Sequence, residues 1–205
     1  MDLLRGGDYF SIDDILSSQE KVPCVLDLPL IRLGYLDATS ESEHIVRGSK
    51  LDFPIWLANA LKNQRTPIVS VDLPKYYKDS YREILAADAN VVDLHKLGPY
   101  FYAVGCKILS FQHPERADVS RSLFESYLNR VLGVIDKAQH SYVADTSTFI
   151  RRLDVSERRV FSAGQHAARE MQVWSSLHGH ILQSRRKRKH SDGAPNEEDD
   201  KRAKT

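Results

Sequence analysis

The sequence predicts an α+β protein: a small β-rich N-terminal module followed by a larger α-helical bundle, a long C-terminal helix and a disordered tail. Three observations carry that prediction. Up to Leu73 the apolar residues come in short Val- and Leu-rich runs punctuated by proline. From Pro74 they recur at steps of three and four, the spacing of a helix face. Beyond Ser184 no large apolar residue occurs, so that segment cannot bury enough surface to offset its chain entropy. The expected divisions are therefore residues 1–73, 74–184 and 185–205.

In the first module, Asp8–Glu20 opens with Ser11 as an N-cap and places Asp13 and Asp14 in the first turn of a short helix. Ile12, Ile15 and Leu16 line one face of it. Lys21–Leu36, broken by Pro23, Pro29 and Gly34, predicts short strands at a sheet edge. Asp37–Ser49 is polar and reads as an exposed loop. Lys50–Leu61 reads as a strand end feeding a short helix, with Pro54 in the first turn and Ile55, Trp56 and Leu61 buried. Thr66–Leu73 alternates apolar and polar residues and is the clearest strand. A module of about 70 residues is marginal alone and is expected to dock on the helical half.

That helical half begins at Pro74, with Tyr77, Tyr81, Ile84 and Leu85 as a stripe. Asn90–Phe111, NVVDLHKLGPYFYAVGCKILSF, is the most apolar stretch and the expected central helix. Pro99 forbids one straight helix, so a turn at Asp93–Leu97 is followed by a second helix. Gly98 is expected to relieve the bend, and Gly105 to let a neighbouring backbone come close. His113-Pro114-Glu115 starts the next helix, with Val119, Leu123, Phe124, Tyr127, Val131, Leu132, Ile135 and Ala138 at helical spacing. After a polar joint at Asp145-Thr146-Ser147 comes the pattern Ile150, Leu153, Glu157, Val160, Gly164, Ala167, Met171, Trp174, His178, Ile181. A continuous helix over it is roughly 45–50 Å long and should overhang a short bundle. Gly164, Ala167 and Ala168 permit close helix approach, and Met171 and Trp174 suit an interface. These five residues are the expected partner-binding surface.

Composition narrows the chemistry. The chain has 29 Lys and Arg against 28 Asp and Glu; Arg185 onward holds eight and five of them, leaving 21 and 23 in residues 1–184. A mildly acidic body argues against a dedicated nucleic-acid surface. No apolar run reaches the ~18–20 residues of a membrane helix. Cys24 and Cys106, in apolar surroundings, read as buried reduced thiols. No phosphate-binding glycine loop, GxGxxG or GxSxG occurs, and the eight histidines make no metal signature, so no cofactor or metal is expected. His95 beside Asp93 is the one acid–base candidate, and a turn-capping role competes with it. Arg151, Arg152, Arg158 and Arg159 share a helix face; an arginine face over Arg151–Arg169 offers the alternative of a free-standing nucleic-acid-binding protein, against a solvated face with i,i+4 pairs. Arg185, Arg186, Lys187, Arg188 and Lys189, then Lys201 and Arg202 after an 11-residue spacer, are spaced like a bipartite nuclear-import signal.

Four ordered blocks carry a family resemblance: DYFSIDDIL at Asp8–Leu16 with SQEK after it, GSKLDFPIWLANAL at Gly48–Leu61, SVDLPKYY at Ser70–Tyr77 and NVVDLHKLGPYFYAVG at Asn90–Gly105. They resemble the third partner subunit of the GINS complex, a eukaryotic DNA-replication factor. The resemblance implies a non-catalytic subunit of a nuclear heterotetramer, joined to the three other GINS subunits largely through helical domains. It further implies that the complex binds the hexameric MCM ring and its cell-division-cycle cofactor to make the active replicative helicase, touching DNA only indirectly. The Asp37–Arg47 loop and the tail carry none of this resemblance.

Overall fold

A computed structural model describes residues 10–37, 42–140 and 146–191, with side chains described as far as Ser176. Helix α1 (Ile12–Gln19) leads directly into strand β1 (Lys21–Leu26), and β2 (Lys50–Pro54) runs straight into α2 (Ile55–Lys62). Strand β3 (Val69–Val71) completes an antiparallel sheet of order β2-β1-β3. The strand after α1 is therefore central and not at an edge. Pro23 is tolerated there because its backbone faces the β3 side, where its carbonyl accepts from Asp72 N at 2.9 Å beyond the end of the β1–β3 ladder. The N–H that proline lacks therefore falls at the end of the β1–β3 ladder, where its loss interrupts no bond further along the sheet. Along β1, Val22, Cys24 and Leu26 are buried while the residues between them are not, the period of two expected of a one-sided core. The loop before β2 is anchored as well: Ile45 is buried and bridges Leu30.

A 3-10 turn (Lys75–Tyr77) leads to α3 (Asp79–Asp88), α4 (Leu94–Leu97) and α5 (Phe101–Leu109). Asp93 caps α4, its carboxylate accepting from Lys96 N at 3.2 Å, and Pro99 lies between the two helices, outside the interior of either, where a proline is tolerated. Gly98 has an extended backbone, φ 162°, so the bend makes no special use of glycine. Gly105 is needed for contact: a Cβ there would lie 2.6 Å from a Leu123 methyl, so the close neighbour is a side chain and not a backbone. Helix α5 buries Phe101, Val104, Gly105 and Ile108, but Cys106 is exposed. Of the two thiols expected to be buried, Cys24 is and Cys106 is not, because Cys106 lies off the face of α5 that carries Phe101, Val104, Gly105 and Ile108.

Helix α6 (Arg116–Gln139) is followed by α7 (Ser147–Arg151) and α8 (Val155–Ser191). The long C-terminal pattern is thus broken at Arg152–Asp154, and Ile150 and Leu153 precede the long helix. The backbone stays helical to Ser191, beyond the expected division at Ser184. One apolar core runs from Val22 on β1 to Leu123 on α6 and takes in the sheet, α2, α3, α4 and α5. A second, smaller cluster joins Val134 and Ala138 of α6 to Leu153 and to Phe161 of α8.

Several side chains expected inside are outside. Ile12, Ile15 and Leu16 are exposed on α1, Trp56 on α2, and Tyr81 and Ile84 on α3. Helical spacing locates a stripe but does not say whether this chain or another covers it.

Candidate subunit interface

The site is built on a buried polar clamp. Arg130 lies on the inner face of α6, in phase with Val119, Leu123, Val134 and Ala138. Its Nε donates to Glu157 Oε1 at 2.6 Å and its Nη2 to Glu157 Oε2 at 2.9 Å. Its Nη1 donates to the carbonyls of Ala89 (2.5 Å) and Val92 (2.9 Å), just past the end of α3. Tyr102 of α5 donates to Glu157 Oε1 at 3.1 Å. Both ions are nearly fully buried, so the pair persists only because its forked geometry and extra hydrogen bonds offset desolvation. Burial works against the Arg130 charge, and Glu157 more than compensates, holding the guanidinium above its ordinary range.

The same carboxylate starts the long helix. Ser156 N donates to Asp154 Oδ2 at 2.8 Å, and Asp154 N donates to Glu157 Oε2 at 3.2 Å. This is a reciprocal capping box, and α8 therefore begins at one fixed place against α6. Burial pushes the Asp154 carboxyl above the usual carboxylate range, and its Oδ1 accepts no hydrogen bond among the described residues.

From that base, α8 runs parallel to α6: Glu157 meets Arg130, and a Cβ on Gly164 would lie 2.9 Å from that of Ala138. Helix α6 ends at Gln139, so α8 leaves its support at about Gly164 and continues to Ser191, about 40 Å of helix. Of the five expected partner-binding residues, Gly164 packs inside the chain, Ala168 is half-buried, and Ala167, Met171 and Trp174 are exposed. Trp174 keeps 53% of its surface exposed, on a stretch where every residue from Arg169 to Ser176 is exposed.

A second surface was not singled out from the sequence. Helix α6 carries an outer stripe of Phe124, Leu128, Leu132 and Ile135, with Leu132 73% exposed. The spacing that marks α6 as a helix merges inner and outer stripes into one list. The signal that separates them is Arg130, a charge in phase with the inner face. The capping box was legible as Asp154-Val155-Ser156-Glu157 before an apolar run.

His95 is exposed on the four-residue α4, and the Asp93 carboxylate beside it caps that helix. Among the described residues no group of His, Cys, Asp and Glu is arranged to hold a metal, and no helix is long and apolar enough to cross a membrane. Within the arginine face, Arg158 donates to the carbonyls of Ile150 (3.1 Å) and Arg151 (3.3 Å), and Arg159 pairs with Asp13. Arg151 ends α7 while Arg158 and Arg159 lie on α8, so the four do not share one helix face as expected, and two of them are engaged within the chain. The import candidates Arg185, Arg186, Lys187, Arg188 and Lys189 lie on the helical backbone of α8 beyond the described side chains, and Lys201 and Arg202 lie outside the described residues.

Comparison with known proteins matches this architecture in both halves. Residues 10–63 match the family model described as the PSF3 N-terminal domain. Residues 76–176 match the one described as the GINS complex protein helical bundle domain. The chain is 45% identical over 172 residues to the mouse protein named DNA replication complex GINS protein PSF3, covering 82% of this chain and 80% of that one. It is 40% identical over 196 residues to the human protein of the same name, covering 90% and 91%, and 40% identical over 170 residues to the Xenopus laevis one, covering 83% and 81%. An antiparallel three-stranded module, a helical bundle fixed by a buried clamp, and relatives alike over most of their length place this chain in the PSF3 family of GINS complex proteins.

Proposed function

We propose that this chain is a non-catalytic subunit of a nuclear GINS heterotetramer acting in DNA replication, with α8 and the outer stripe of α6 as its assembly surfaces. The observation that carries the reading is the overhang of α8. A helix clamped at one end and exposed at every position from Arg169 to Ser176 is marginal as a solitary rod, because helices in proteins owe most of their stability to packing. Ala167, Ala168, Met171 and Trp174 supply the surface on which another helix seats, and Gly164 sets the point where private packing gives way to it. The relatives are named as proteins of the DNA replication complex GINS, which supports the other subunits of that complex as the partners. The complex in turn joins the hexameric MCM ring and its cell-division-cycle cofactor to form the active replicative helicase, and this subunit meets DNA only indirectly. The basic run Arg185–Lys189 with Lys201 and Arg202 serves nuclear import.

Co-expression with the three other GINS subunits, followed by native mass measurement, tests this. The wild-type chain is expected in a four-subunit particle. Trp174→Asp and Leu132→Asp are each expected to lose it while the free chain keeps its helical content, since an unpaired charge in a buried seam is costly. Normal assembly by both variants would sink the assignment of these surfaces, and absence of the particle with wild type would sink the subunit reading. Removing residues 185–205 should leave assembly intact and lower nuclear accumulation of the chain expressed alone; unchanged accumulation refutes the import role.

The nucleic-acid alternative has less support, because Arg158 and Arg159 are engaged within the chain and the body carries a small acidic excess.

A further inference from the structure

Helix α1 buries none of its large apolar residues: Ile12 is 72% exposed, Ile15 and Leu16 are half-exposed, and the buried residue is Ser17. The side-chain bonds of α1 to the helical half are polar. Asp13 accepts from Tyr100 Oη at 3.2 Å and pairs with Arg159 on the second turn of α8. Lys107 of α5 places its ammonium 2.8 Å from Asp14 Oδ1 and donates to the Asp14 carbonyl at 2.8 Å. Arg159 keeps 60% of its side-chain surface against 34% for Asp13, and Asp14 39% against 23% for Lys107, so each pair stays partly open to water.

We propose that α1 is a strap held on the helical half by these wet charge contacts, and that it opens by melting as a unit up to Glu20. Exposed ion pairs are worth about 0–1 kcal/mol apiece and are screened by salt. A helix of eight residues lies below the ~12–15 needed for stability in isolation, so α1 is helical only while it is tethered. Glu20 is the stop, because its carbonyl accepts from Ile55 N at 3.0 Å at the end of the β1–β2 ladder, and Lys21 onward belongs to the sheet. Opening frees Lys107 of α5 and Arg159 near the base of α8, leaving two cations where the folded strap had neutralised them. The strap is a reversible cover over the foot of the helix that carries the overhang.

Hydrogen exchange on the full-length chain tests this without relying on assembly. Between about 50 mM and about 1 M salt, where the screening length falls several-fold, amides of residues 15–19 are expected to exchange about tenfold faster while those of β1 do not change. Lys107→Met combined with Arg159→Gln alters no residue of α1 and is expected to produce the same acceleration at low salt. The idea is overturned if α1 exchange is indifferent to both salt and the double variant, or if α1 and β1 lose protection together.

Discussion

The two apolar clusters of this molecule are organised on different terms. The first joins the sheet, α2 to α5 and the first half of α6 around 18 buried residues, enough to close on itself. The second has four, Val134, Ala138, Leu153 and Phe161, and from it projects the longest helix of the structure. So small a cluster cannot anchor such a helix by apolar burial, so the anchoring falls to ionic and capping hydrogen bonds: Arg130 to Glu157, and Glu157 to the backbone of Asp154. Geometry fixed by polar groups is directional in a way that apolar burial is not. The first region is thus held by apolar burial and the second by directional polar contacts that fix the orientation of α8, which is what the proposed assembly role of that helix requires.

Removing one half of the clamp should have the largest effect. Arg130→Met leaves Glu157 buried without its counter-charge and two carbonyls after α3 without their donor, and is expected to cost about 3–5 kcal/mol by urea denaturation. Double replacement by apolar residues, Arg130→Met with Glu157→Leu, should recover part of that loss, because the orphaned charge is gone. A double variant as unstable as the single one would show that the clamp acts through more than its charge.

Cavity substitutions distinguish the two clusters at similar chemical cost. Leu94→Ala, at a fully buried site of the first cluster, should cost about 2–5 kcal/mol and lower hydrogen-exchange protection everywhere. Phe161→Ala in the second, about 3–5 kcal/mol by the same rule, should be confined: the first turns of α8 lose protection while β1 and β2 keep theirs. Equal loss in both regions would erase the distinction between a self-sufficient core and a helix anchor.

The smallest effect concerns Asp154. Its folded-state pKa is raised by burial, so its stabilising contribution is full below the unfolded value and is lost as pH rises through the folded one. Asp154→Asn keeps an acceptor for Ser156 N without the buried charge, and is expected to be equal to or more stable than wild type at pH 7. That advantage should shrink as the pH falls toward the carboxylate range. Asp154→Ala loses the cap and should cost about 1 kcal/mol. Denaturation at two pH values decides between them.

The sequence by itself determined much of this protein. Alternation at Thr66–Leu73, the stripe from Val119 and the break at Pro99 are local signals, because backbone period and proline geometry act within a few residues. The partition into a β-rich module and helices arises from them. Tertiary structure alone decided which face of each stripe is covered. Phe124 and Leu123 are adjacent in the chain and both strongly apolar, yet Leu123 sits against Gly105 and Phe124 stands outside. It also decided that Arg130, a charge inside an apolar pattern, would meet a carboxylate 27 positions away, and that the strand carrying Pro23 would be the central one. Such outcomes depend on which elements meet across long sequence separations, a matter of volume and paired charge that local propensity does not encode.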